Sequence, residues 1–268
     1  MLAKDFQFDG EYLRNWGFMI CSTEDHSGFE SISRDSNLKF NNVSFHQGKL
    51  FELTTSEYED RVEISFQICK YTKTLDRIPE ISVYELREIK RWLCQPTFKK
   101  FRLIQPEWDN IYMEGSFNIS DNLGFDGKIY VLDITFISNR PFALHDPITY
   151  RIKTSEANEK YILIDNSDEI GYIYPNMEVM CLESGNLEIT NSNENRTTII
   201  KNCLKDEVIT FSKELLFHSS ILEHIIQNDF NYIFLRISNS YKNRKNILTF
   251  SMPVKAEISY SPYVKAVY

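Results

Sequence analysis

Apolar and polar residues alternate through most of this chain, and the alternating runs are rich in β-branched and aromatic side chains. A period of two belongs to strands with one face buried. The clearest run in the first half is 61–69, where Val62, Ile64, Phe66 and Ile68 point one way and Glu63, Ser65 and Gln67 the other. Similar runs cover 98–104, 111–119 and 128–137, and the stretch 121–127 reads as the turn that joins the last two into an antiparallel pair. One segment breaks the period. Ser82 followed three residues later by Glu85 is a capping box, and Leu86, Ile89 and Leu93 continue at helical spacing, which predicts a helix over 83–93 shut off by Pro96. Arg87, Lys90 and Arg91 lie toward its C-terminal half, where positive charge complements the helix dipole.

The pattern stops at Asn139-Arg140-Pro141 and His145-Asp146-Pro147, and 153–160 is polar. A domain boundary is placed there, giving 1–145 and 146–268. Short strand-like runs follow at 161–165, 177–182, 187–191, 197–200, 208–211, 232–238, 246–251 and 254–261, with turns at Glu183-Ser184-Gly185-Asn186 and Ser192-Asn193-Glu194-Asn195. Regular short strands with polar turns imply a sandwich. The expected fold class is mostly β with one helix: an N-terminal β domain carrying that helix, then a C-terminal β-sandwich.

Charge and cysteine usage narrow the function. Thirty basic against 38 acidic residues give a net charge of −8, which repels polyanions and argues against nucleic acid as a primary ligand. No apolar run approaches the roughly 18 residues of a membrane helix, and the segment after Met1 lacks a signal-peptide apolar core. The expectation is a chain made in the cytoplasm, with no membrane partner. Cys21, Cys69, Cys94, Cys181 and Cys203 are odd in number and widely spaced, without a C-x-x-C pair, and read as reduced thiols.

No catalytic or metal motif is present: the chain has no G-x-S-x-G, Walker loop, dinucleotide fingerprint or H-E-x-x-H. Its five histidines, His26, His46, His145, His218 and His224, fit no zinc spacing. Asp165, Asp168 and Glu169 lack the alternating ligands and central Gly of an EF-type calcium loop and read as an Asx-rich turn. The run Lys242-Asn243-Arg244-Lys245 reads as a charged turn. The expectation is no enzyme, cofactor or metal. Aromatic content of 14% points instead to assembly, because large rings are favoured at the buried centres of protein interfaces. Phe6, Phe8, Trp16, Trp92 and Trp108 are the candidate interface residues, with the hydrophobic core as the competing assignment. A glycan-binding sandwich would have to stack sugars on Tyr172, Tyr174, Tyr232 or Tyr241, with Tyr172 and Tyr174 as the candidate contacts, because every tryptophan precedes the boundary.

The order of features resembles the distal tail (Dit) proteins of long-tailed bacteriophages and related tail-like particles. The stretches that carry the resemblance are Phe6-Gln7-Phe8-Asp9-Gly10 with Trp16-Gly17 behind it, the strand 60–69, the helix ending Ile89-Lys90-Arg91-Trp92-Leu93, the segment 99–117 with Glu107, Trp108, Asp109 and Asn110 at its turn, and Phe136-Ile137-Ser138-Asn139-Arg140-Pro141-Phe142. The second half is similar to that family's galectin-like sandwich, from Pro175-Asn176-Met177-Glu178-Val179 to Asn246-Ile247-Leu248-Thr249-Phe250. The closing segment 258–268 departs from the family by lacking arginines, and the sugar-binding residue pattern of true galectins is missing. The resemblance implies a homohexameric ring of N-terminal domains at the virion tail tip. That ring would join the tail tube protein to the tail-associated hub or lysin protein, with receptor-binding proteins as further candidate partners and DNA only passing through the lumen. A carbohydrate-binding module acting in host attachment is the alternative. A cell-wall hydrolase would need paired carboxylates at catalytic separation.

Overall fold

The computed structural model describes residues 5–21, 38–42, 54–58, 61–72, 78–240 and 242–265. Contacts divide the chain into two units, one running up to Leu144 and joined by Lys265, the other His145–Val264.

In the N-terminal unit the strands are β1 (Phe6–Phe8), β2 (Glu11–Tyr12), β3 (Phe18–Cys21), β4 (Leu38–Asn42), β5 (Thr54–Tyr58), β6 (Glu63–Lys70), β7 (Lys99–Leu103), β8 (Ile111–Phe125), β9 (Lys128–Ser138) and β10 (Ala143–His145). The main sheet runs β2-β1-β7-β8-β9-β6-β3, and β4 pairs with β5 as a separate ribbon. A flat sheet of seven strands would hold its outer strands about 29 Å apart. Yet β2 ends at Tyr12 and β3 begins at Phe18, joined by the 3-10 turn Leu13–Trp16 and Gly17. Such a turn advances only about 2 Å per residue. The sheet must therefore curl until its two ends meet. Gly17 makes the junction by taking φ 77, a left-handed conformation that glycine reaches without steric cost, and its carbonyl accepts the Tyr71 N–H at 2.8 Å.

Ring packing shows the same curl. Phe6 on β1 and Phe66 on β6 are four strand positions apart, about 19 Å along a flat sheet, but their ring centroids are 6.0 Å apart. Phe101, Phe117 and Phe136 fill the space between, with Phe101 on Phe136 at 4.2 Å and Phe6 on Phe117 at 5.3 Å. Gly115 marks a close strand approach: a side chain there would run into the Ile137 carbonyl and the Phe136 ring. The helix α1 (Val83–Leu93) forms where the capping box predicts it, with both reciprocal bonds between Ser82 and Glu85 in place. It buries Ile89, Trp92 and Leu93. One expectation is corrected. The stretch 121–127 is not a loop, because β8 runs on to Phe125 and only Asp126 and Gly127 turn; register shifts after Ile119 and Leu123 let a polar sequence stay in the ladder.

The C-terminal unit contains β11 (Ile148–Lys153), β12 (Lys160–Ile164), β13 (Gly171–Ile173), β14 (Asn176–Cys181), β15 (Gly185–Asn191), β16 (Arg196–Cys203), β17 (Val208–Phe211), β18 (Phe217–Ser219), a single-turn α2 (Ile226–Asp229), β19 (Ile237–Asn239), β20 (Lys245–Phe250) and β21 (Val254–Tyr260). One sheet is ordered β11-β21-β14-β17-β18 and the other β12-β20-β15-β16, with β13 and β19 paired as a ribbon. Met177 and Val179 from β14, Ala256 and Ile258 from β21, Ile189 from β15 and Leu248 from β20 belong to one buried cluster, the shared interior of a two-sheet sandwich. The run 232–238 is only partly a strand. Tyr232 sits at φ 57, outside the extended region, and pairing begins at Ile237.

Candidate interaction surfaces

The candidate aromatics of the N-terminal unit mostly face inward. Phe6 and Phe8 are fully buried, Trp108 and Trp92 nearly so, and only Trp16 keeps about a third of its surface in solvent, at 36%. Phe6 and Phe8 are two residues apart on β1 and so share the concave face of the curled sheet. Trp92 reaches from α1 to meet them, its indole N–H donating to the Phe8 carbonyl at 3.2 Å, and Trp16 stacks on its other side at 5.0 Å. Phe6, Phe8, Trp92 and Trp108 are thus packed within the chain's own core. Core and interface draw on the same residue types, so alternation alone does not separate them.

Facing outward are two apolar residues that no motif singles out, beside the basic cluster of α1. Val83 and Tyr84 are 74% and 71% exposed on the first turn of α1, and Arg87, Lys90 and Arg91 share the same outward side. Helical geometry carries the signal, for these positions lie opposite Ile89, Trp92 and Leu93.

In the C-terminal unit Tyr172 is half exposed and Tyr174 partly buried, their rings 5.5 Å apart and edge to face. The Arg236 guanidinium covers one face of Tyr172 at 3.8 Å and is held there by Glu194, whose carboxylate accepts from Nε at 2.7 Å. A sugar stacking on Tyr172 is therefore left with the opposite face. Beside Tyr174 the surface dips between Met177, Phe211 and Phe234 into a hollow of about 200 Å³, including its open mouth. That is below the roughly 300 Å³ at which small-molecule sites begin. The unit has a second exposed region around β18: Leu216 is 68% and Leu222 93% exposed, and Tyr232 packs on Phe217 with centroids 5.7 Å apart. Leu215 and Tyr232 both take positive φ, a costly conformation for bulky side chains. Tyr241, which the sequence reading also weighed for glycans, and His26 and His46 lie outside the described residues.

The polar groups most suggestive of chemistry are arranged for packing. Glu207 is fully buried and accepts from Ser219 Oγ and His224 Nδ1, both at 2.5 Å, and from the Leu204 N–H at 2.7 Å. Ser219 and His224 thus converge on one carboxylate rather than on each other, and these two form no nucleophile–base pair. Asp229 lies 3.3 Å from His224 Nε2 as an ion-pair contact without hydrogen-bond alignment. Burial pushes the His224 ring down; the Glu207 carboxylate above all, with Cys203 and Asp229, more than reverses this and holds its pKa above the ordinary imidazole value. Asp165 closes an Asx turn, accepting the Ser167 N–H at 3.2 Å and hydroxyl at 2.9 Å. Among the described residues no group of three or more His, Cys, Asp or Glu side chains is placed to hold a metal ion, and no helix is long and apolar enough to cross a membrane.

Two family models match the chain, one described as a phage tail protein N-terminal domain over residues 1–140 and one as a phage tail C-terminal domain over residues 142–260. No curated protein matches. Among solved structures, the crystal structure of the Dit protein of SPP1, described as a paradigm of the hub adsorption apparatus in phages that infect Gram-positive bacteria, is similar with a TM-score of 0.60. The two share 10% identity, and the match covers 96% of this chain and 98% of that one. At that identity the likeness shows the fold, a curled β domain followed by a sandwich. The family models carry the membership: this chain belongs to the phage tail proteins.

Proposed function

We propose that this tail protein forms a homohexameric ring at the distal end of the tail, connecting the tail tube to the hub and baseplate proteins. The observation that carries the reading is the match to a Dit fold across both units, in a chain whose family is tail proteins. Its work is geometric. One heterologous contact, repeated around an axis, closes a ring with one face for the tube and the other for the hub. Six chains at −8 sum to −48, a charge that disfavours adhesion of passing DNA where part of it lines the opening. The N-terminal unit is the ring-forming part, and the C-terminal sandwich is the part that meets receptor-binding proteins.

Gold or antibody labelling of a tagged chain in intact particles tests the placement. Label confined to the tail end remote from the head is expected. Label along the shaft or at the head junction would overturn the proposal.

A further inference from the structure

We propose that the outward face of α1 is the cationic half of the contact between neighbouring copies, and that it takes an acidic surface of a second copy of this chain. The inference rests on the ring reading and names one side of its interface.

Among the described residues of the N-terminal unit, Arg14 pairs with Asp5, Lys39 with Glu57, Arg61 with Glu63, Lys70 with Glu85, Lys99 with Asp9, Lys128 with Glu80 and Arg140 with Glu114. Arg87, Lys90 and Arg91 are exposed, and among the described residues none of them lies within ion-pair distance of a carboxylate. The helix dipole gives Lys90 and Arg91, in the last turn, a local reason to be there, worth less than about 1 kcal/mol at an exposed site. It does not reach Arg87 in the middle of the helix, nor does it explain two large apolar side chains, Val83 and Tyr84, held in solvent on the same side.

Charge complementarity selects the occupant. The whole chain carries −8 with these three cations counted, so the remainder carries −11, and any surface that a second copy brings to this face is on average acidic. Tyrosine and arginine are also the residue types that concentrate binding energy at protein contacts. Nucleic acid fits less well, because duplex phosphates carry a denser negative charge than an acidic protein surface and are repelled more strongly by the same acidic remainder. The face is also rigid before contact. Its first turn is fixed by the Ser82–Glu85 box, Lys70 holds the Glu85 carboxylate at 2.7 Å, and Ile89, Trp92 and Leu93 anchor the reverse side. Little backbone ordering cost then remains at association, and the cost left is that of fixing the exposed side chains.

The test compares the native mass of the full chain with those of Arg87→Glu/Arg91→Glu and Arg87→Lys/Arg91→Lys, across protein concentration and at low and high salt. The wild type is expected to form rings that weaken with salt. The reversed pair should shift the association midpoint by about tenfold or more, with thermal unfolding unchanged at concentrations where both chains are monomeric, and the lysine pair should stay close to wild type. Reversed chains that assemble as well as wild type would overturn this inference and leave the ring reading standing. A wild type that remains monomeric throughout would overturn both. A DNA duplex bound by wild type and released by the reversed pair would assign the face to nucleic acid instead.

Discussion

The two units stabilise β-sheet by different means. The N-terminal unit curls one sheet around a knot of rings, Phe6, Phe66, Phe101, Phe117 and Phe136, and seals it with Trp92 from α1. The C-terminal unit closes two sheets over a largely aliphatic interior and pins one side with buried amides. Asn246 there accepts from the Asn191 amide at 2.8 Å and the Ser238 N–H at 2.9 Å while donating to the Ser238 carbonyl at 2.9 Å. A single curled sheet needs large side chains to fill its hollow, whereas two facing sheets interdigitate smaller ones. The ionisable supports differ in sign as well. Glu85 is held at about 2 by hydrogen bonds from Lys70 and Ser82, and His224 lies above its usual value.

The contrast can be broken most forcefully at Phe117, which is buried and contacts Phe6, Phe8, Phe101 and Phe136. Phe117→Ala should cost about 4 kcal/mol, read as loss of the N-terminal calorimetric transition with the C-terminal one unmoved. Asn246→Ala should do the converse. It leaves the buried Ser238 N–H without its acceptor and takes one of two partners from the Asn191 amide and the Ser238 carbonyl, for about 3 kcal/mol in the C-terminal transition.

Titration sharpens the difference. The folded pKa of His224 lies above the unfolded value of 6.5, so its contribution is complete below pH 6.5 and is lost as pH rises through the folded value. Glu85 behaves oppositely: its contribution is complete above its unfolded value of 4.5 and is lost as pH falls toward about 2. Thermal scans against pH should show the C-terminal unit weakening on the alkaline side and the N-terminal unit in acid, with His224→Gln flattening only the first. Ser82→Ala is the mildest change, removing the cap of α1 for about 1 kcal/mol.

Much of the fold was legible in the sequence because its local signals agree with their surroundings. The alternation at 61–69 became β6, and the Ser82-to-Glu85 spacing became a complete capping box. What escaped was set by long-range packing. Nothing local to 13–17 announces that a short turn joins the two ends of a curled sheet. The strand β8 persists through Asp121 and Asn122 because its partner β9 holds the register on either side of the shifts. The site was less legible than the fold. Alternation marked Phe6 and Phe8 as apolar, but only the closed ring cluster shows that they are spent on the core. Val83 and Tyr84 carried an outward signal from their helical position, visible once the buried side of α1 is fixed by Ile89, Trp92 and Leu93.

The central claim is assembly into a sixfold ring, and imaging of the purified chain beside light scattering measures it most directly. Six copies of 31.7 kDa predict particles of about 190 kDa, with sixfold class averages around a central opening. A chain that stays at the monomer mass over the whole concentration range, or closes with another number of subunits, would contradict the account.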